Sequence, residues 1–246
     1  LYYADRIYQI NLAIAGIAVG TVSLPALSKA FKNKNIKKLS NIQSKSFELS
    51  LLLSIPASLG LILASEEIVN SLFGYGSFSE KDVKLTADAL KYFGYGVPAF
   101  ALVKILSNFF FARDNTKTPL YISIFMVIIN ISISVSLFAS YGFIIIPIAT
   151  SISTWIGVLI YIYLLNEKNS LLLNKKLIPN FIKILTSTII MSIIMVLLIN
   201  NYESYLNYSY KFKAIYLLSI VGFVGIVYLL SCYLFGILKL KNYKTN

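Results

Sequence analysis

Ile189-Ile190-Met191-Ser192-Ile193-Ile194-Met195-Val196-Leu197-Leu198-Ile199 is apolar at every position but one. A strand of a membrane barrel would alternate apolar and polar residues over segments of about ten. This run does not alternate, so it reads as the middle of a helix passing through hydrocarbon. Crossing takes about 17 to 25 mostly apolar residues, and the run lies inside one such stretch, roughly 179 to 200. Working outward, six more appear at roughly 2 to 28, 47 to 65, 88 to 111, 119 to 139, 143 to 165 and 213 to 236. A helix bonds every backbone group to itself, the condition for crossing a medium without water. The predicted fold is all-α: a polytopic membrane helix bundle with about seven transmembrane helices.

Composition agrees. The chain is 57% hydrophobic and 13% charged, where a soluble domain averages about a quarter charged residues. Cys232 is the single cysteine and histidine is absent. An internal disulfide is excluded, and the commonest ligand of zinc and haem sites is missing. No cofactor is expected. An enzyme would need a nucleophile, metal ligands or paired carboxylates, and only Asp5 and Asp88 fall near the membrane interior. The chain opens at Leu1 on a charged stretch rather than on a signal peptide's basic and apolar regions, so it is expected to be the C-terminal part of a longer protein.

The net charge of +12 is unevenly spread. Lys29, Lys32, Lys34, Lys37, Lys38 and Lys45 follow the first apolar stretch, Arg113 and Lys117 the third, Lys168, Lys175 and Lys176 the fifth, and Lys239, Lys241 and Lys244 the last. The intervening loops hold only Lys81, Lys84, Lys211 and Lys213. The positive-inside rule puts the first set, and with it the C-terminus, in the cytoplasm. Leu1 then starts outside. The basic loops read as topology signals and contacts to membrane lipids; no nucleic acid is expected as a partner.

Within the first stretch one charge pair stands out, Asp5-Arg6, because a charge at the centre of a spanning helix costs roughly 2.5 to 3.5 kcal/mol. Arg6 either faces a polar cavity, where it can meet an anion, or snorkels to the interface. Tyr2 and Gln9 lie on its helical face at four and three residues, whereas Asp5 points about 100° away. Gly16 and Gly20 give the same helix a small face for close approach. Lys104, about 13 Å deeper than Arg113 at 1.5 Å per residue, either shares the polar interior or snorkels toward the cytoplasm. Pro98 interrupts that third stretch, and Ser79 ahead of Asp82 predicts a capped helix start. Asn130 and Ser134, and Thr150, Ser153 and Thr154, form polar faces on the fourth and fifth stretches; they serve as helix glue or as a small-cation site. The last two stretches hold little polarity beyond Ser and Thr, and their connecting loop is rich in tyrosine. They read as a peripheral pair in contact with lipid.

Tyr3-Ala4-Asp5-Arg6-Ile7 through Gly16, Gly20-Thr21 and Leu24-Pro25-Ala26-Leu27-Ser28 resembles the MurJ (MviN) lipid II flippases of the MOP superfamily. The resemblance continues in Leu72-Phe73-Gly74-Tyr75-Gly76-Ser77-Phe78, in Pro98-Ala99-Phe100-Ala101-Leu102-Val103-Lys104 and in Phe110-Phe111-Ala112-Arg113-Asp114-Asn115-Thr116-Lys117-Thr118-Pro119. It covers about the first 155 residues. It implies the C-terminal lobe of a MOP-type transporter (1–165) plus two extra helices and a cytoplasmic tail (166–246), with the N-terminal half of the same chain as a missing partner. The implied activity is flipping of lipid II, an undecaprenyl-diphosphate-linked precursor, across the bacterial cytoplasmic (inner) membrane by alternating access. Arg6 is then a cavity arginine for the diphosphate, with Asp5 beside it as a polar neighbour needed for activity, and the last two helices line a groove for the polyprenyl tail; Gln9 and Lys104 complete the substrate-binding candidates. Gln9 stands where some members carry Glu. Asn130 and Thr150 match a sodium site, but Ser134 replaces its carboxylate. Flippases for other polyprenyl-linked saccharides, or drug/cation antiporters of the superfamily, share the fold; antiporters would favour an intramembrane carboxylate over Arg6.

Overall fold

The computed structural model describes residues 1–238. Lys239, Lys241 and Lys244, on which part of the charge argument rests, lie outside the described residues. The chain runs through α1 (Tyr2–Leu12), a π-helical segment (Ala13–Ala18), α2 (Val19–Lys32), α3 (Ile36–Leu63), α4 (Ser65–Phe73), α5 (Glu80–Phe111), α6 (Lys117–Tyr141), a 3-10 turn (Gly142–Ile144), α7 (Ile145–Glu167), α8 (Leu177–Asn201), α9 (Glu203–Leu206) and α10 (Lys213–Leu234). No strand occurs among the described residues. Among the described residues, six helical stretches are long and apolar enough to cross a membrane. One of them, Lys117–Glu167, folds back on itself at Gly142, whose φ of +62° suits glycine. The seven expected crossings thus include α6 and α7 as the two legs of one hairpin.

The surface is apolar as well as the core, and some polar side chains are buried. Val135 is 73% exposed and Leu234 80% exposed, while Gln43, Ser50 and Ser54 are buried completely. Lipid solvates apolar side chains as well as a protein core does, so helices associate through close packing and interhelical bonds. The central helix α5 illustrates this. Gly94 meets α3, and its carbonyl accepts the Ser58 hydroxyl at 2.7 Å. On its other side Gly96 faces α7, where a Cβ would stand 2.6 Å from Ser151 Oγ. Ser151 donates to the Tyr92 carbonyl at 2.7 Å. The expected capped start of α5 is present: Ser79 Oγ accepts the Asp82 amide at 3.2 Å, and the Asp82 carboxylate accepts the Ser79 amide at 2.9 Å. Helix α5 continues through Pro98.

Connections sort into two ends. At one end lie the turn Asn33–Asn35, where Lys34 takes φ +51°, and the loops 112–116 and 168–176. The basic connector after the first span is mostly absorbed into helices α2 and α3. The 168–176 loop is bonded to α3. Gln43 donates from Nε2 to the Ser170 carbonyl at 3.1 Å and accepts the Leu172 amide at 2.8 Å. Ser44 Oγ accepts the Asn174 amide at 2.8 Å. Arg113 adds a bond from Nη2 to the Ser170 carbonyl at 2.8 Å, and burial draws its guanidinium below the usual value. A loop packed this way needs partners for its backbone groups, and these side chains supply them.

The opposite end carries Leu1, α4, α9 and their loops. Glu66, Glu67, Glu80 and Glu203 surround a polar pocket of about 280 Å³. Burial raises the Glu67 carboxyl above its ordinary value, and the nearby Glu66 and Glu203 add to that. The folded form therefore holds its proton more tightly than the unfolded chain does. The ionised group costs stability at neutral pH, and that cost fades as pH falls through the raised folded value. Glu67→Gln is expected to raise the thermal midpoint near neutral pH, with the gain shrinking as pH falls through the raised folded value. An equal gain at every pH would contradict the assignment.

Candidate functional site

Helix α1 orients the charged pair. Ala4 and Ile7 are buried, and Tyr8 stacks on Phe93 and Phe100 of α5 with ring centroids 4.6 and 5.1 Å apart. The opposite face therefore carries Tyr2, Arg6 and Ile10, all exposed. Arg6 Nη1 donates to Gln9 Oε1 at 3.2 Å, and Gln9 Nε2 donates to Asp5 Oδ2 at 2.6 Å. The Arg6 guanidinium lies over the Tyr2 ring, 5.0 Å from its centroid. Among the described residues the single salt bridge is Lys84–Glu80; Arg6 and Asp5 are not in direct contact. A neutral amide separates cation from anion, giving its acceptor to one and its donor to the other. One hydrogen bond leaves most of the guanidinium's five donors uncommitted.

Lys104 does not join this cluster. Its stem packs beside Gly16, where a glycine Cβ would stand 3.4 Å from Lys104 Cγ. That is ten residues along from Arg6, or about 15 Å at 1.5 Å per residue. The Lys104 side chain is exposed. Gly16 sits in the π-helical segment, and the small face predicted for it is used: Gly16 meets Ala101, and the Gly20 carbonyl accepts Asn108 Nδ2 at 2.8 Å. π turns recur at functional positions in helices, and this one lies between the levels of Arg6 and Gly20.

Asn130 and Thr150 do meet across the α6–α7 hairpin. Asn130 Nδ2 donates to Thr150 Oγ1 at 2.9 Å, and Thr150 Oγ1 donates onward to the Ile146 carbonyl at 2.7 Å. They bond to each other and so join the two helices. Among the described residues no group of three or more Cys, Asp or Glu is placed to hold a metal ion.

A groove of about 690 Å³ opens between α1, α3 and α4 on one side and α8 and α10 on the other. Asn11, Ser71 and Tyr228 are its only lining residues with polar side chains; the rest are apolar or glycine. Tyr228 donates its hydroxyl to the Leu52 carbonyl at 2.7 Å, which fixes α10 to α3 at the groove's far end.

A sequence profile of the family described as "Lipid II flippase MurJ" matches residues 1–218. The chain belongs to the MurJ lipid II flippase family. The probable lipid II flippase MurJ of Rickettsia prowazekii is 37% identical over 248 residues, covering all of this chain and 48% of that protein. The probable MurJ of Rhizobium meliloti is 39% identical over 160 residues, covering 65% of this chain and 30% of its own length. A solved structure, lipid II flippase MurJ in an inward closed conformation, superposes with a TM-score of 0.77 at 26% identity, covering 95% of this chain and 46% of that one. The chain spans about half the length of these fuller MurJ proteins. The MurJ profile ends inside α10, beyond the quoted motifs.

Sequence reading missed Lys213. It counted among the few outer charges, yet it is fully buried, with partners some 140 positions earlier in the chain. Gln43 was missed too; its partners lie in the loop after α7.

Proposed function

We propose that this chain forms the C-terminal part of a flippase that moves lipid II across the bacterial cytoplasmic membrane, with Arg6 binding the diphosphate. The observation that carries this reading is the unpaired Arg6 guanidinium, held on the open face of α1 by Gln9 and Tyr2. An anionic diphosphate offers paired oxygens to a planar, permanently charged fork. Asp5 orients Gln9, and Gln9 orients Arg6; Lys104, on α5, provides a second cation about 15 Å farther along the helix axis. The apolar groove beside α10 suits the polyprenyl tail, which would remain in a lipid-like medium while the headgroup crosses. Residues 166–246 act as an auxiliary pair around that groove, and the C-terminus is cytoplasmic. Alternating access follows from two lobes rocking around a shared cavity; no covalent step is required, and the relatives' names describe transport rather than chemical conversion.

The test uses the full-length protein in cells depleted of their own lipid II flippase. Expression is expected to restore growth and cell shape, and to expose lipid II at the outer leaflet. Normal membrane levels of the protein with no restored translocation would overturn the reading.

A further inference from the structure

The ammonium of Lys213 sits in a receptor built of neutral groups. Nζ donates to Asn70 Oδ1 at 3.0 Å, to the Gly74 carbonyl at 2.6 Å and to the Tyr208 carbonyl at 2.8 Å. Those three bonds use its whole donor capacity. It also lies 4.2 Å from the Tyr75 ring centroid and 4.7 Å from that of Tyr208. No carboxylate takes part, and the side chain is 0% exposed. The receptor is itself braced, since Asn70 Nδ2 donates to the Leu206 carbonyl at 2.7 Å and the Tyr208 hydroxyl donates to the Phe78 carbonyl. A desolvated ammonium is costly, so it remains buried only where carbonyl dipoles and aromatic faces replace water.

Its position gives this arrangement a use. Lys213 begins α10, and the next residue, Ala214, already lines the apolar groove. Asn70 and Gly74 flank Leu72, which lines the groove from α4. The bonds of Lys213 therefore tie the two walls together at the groove's mouth. The Tyr228–Leu52 bond ties them at the other end, 15 residues away and thus about 22 Å along the helix. Between these two attachments α10 carries Gly222 and Gly225, whose missing Cβ atoms would meet nothing within 4 Å. We propose that Lys213 is a positioning residue that sets the width of the groove at its mouth and so its fit to a long isoprenoid chain. This rests on the tail-binding reading of the groove given above.

The test compares wild type, Lys213→Met and Tyr75→Leu in the full-length protein. Methionine keeps an apolar stem but leaves three carbonyl acceptors without a donor; leucine at 75 removes one aromatic face and leaves the three bonds. Spin labels at Leu72→Cys and Leu218→Cys, with Cys232→Ala, report the distance across the mouth. Wild type is expected to give one narrow distribution, Lys213→Met a longer and broader one, and Tyr75→Leu an intermediate. The second readout is affinity for undecaprenyl diphosphate against farnesyl diphosphate. Wild type is expected to favour the long chain by about tenfold or more, and Lys213→Met to lose most of that preference while binding inorganic diphosphate unchanged. A general loss of structure would weaken all three ligands alike and would count against the proposal. Should Lys213→Met fail to fold, Tyr75→Leu decides: an unaltered distance and chain-length preference overturns the role. If wild type shows no chain-length preference, the tail reading falls, and the distance measurement alone then decides for or against Lys213.

Discussion

Full-length protein carrying Arg6→Ala is expected to reach the membrane at normal levels and to fail to rescue cells that lack their own flippase. The side chain is exposed and makes one hydrogen bond, to Gln9, so its removal leaves the packing of α1 intact. What disappears is the charge. A hydrogen bond to a charged group contributes about 1.5 to 3 kcal/mol, and a paired fork makes two. The diphosphate should then bind about a hundredfold or more weakly. Arg6→Lys keeps the charge without the fork and should fall between, about tenfold weaker than wild type. Gln9→Leu should shift binding in the same direction as Arg6→Ala but less far, because leucine removes both the acceptor that holds the guanidinium and the donor to Asp5. Titration calorimetry with undecaprenyl diphosphate, beside the rescue assay, reads all three. Full rescue by Arg6→Ala would remove the diphosphate contact from the mechanism.

Gly16→Leu is expected to be the most damaging single change to the fold near the site. A Cβ at position 16 would stand 3.1 Å from Leu12 Cδ1 and 3.2 Å from the Ala101 Cα. The second of these atoms is backbone of α5, which can yield a few tenths of an ångström to a Cβ but not the width of leucine's Cγ and methyl groups, so the first helix must move away. Overpacking of this kind costs about 1 to 3 kcal/mol. It also displaces the helix that carries Asp5, Arg6 and Gln9. Gly16→Ala asks the neighbours to give only a few tenths of an ångström and should be mild. The thermal midpoint in detergent and the rescue assay should therefore fall together for leucine and hardly at all for alanine. Equal stability of the leucine variant would show that α1 and α5 do not approach closely here.

The residues that sequence reading singled out divide by the range of their interactions. Asp5, Arg6 and Gln9 interact within one helical turn, and helical geometry alone placed Gln9 and Tyr2 on the face of Arg6. The Ser79–Asp82 cap was legible for the same reason, as a bond spanning three residues. Lys104 was readable only as one of two alternatives, because its surroundings depend on where α1 crosses α5. Asn130 and Thr150 were seen as separate polar faces, and the turn at Gly142 brought them together. Lys213 gave no local signal at all: a lysine at the start of an apolar helix reads as a snorkelling charge, and two of its three acceptors belong to α4 and the turn that follows it.

By itself, the sequence determined that this is a helical membrane protein, where its crossings run, and which cation stands on the first of them. Those properties follow from apolar run length and helical periodicity, which a chain carries along its own length. Tertiary structure alone decided that α10 stands off from α1 to leave a groove, that the 168–176 loop is bonded to α3, and that Lys213 is buried without a counter-charge. The last two depend on groups more than a hundred residues apart meeting at hydrogen-bonding distance, and in a medium that solvates every apolar face alike, hydrophobic pattern does not specify which helices pair.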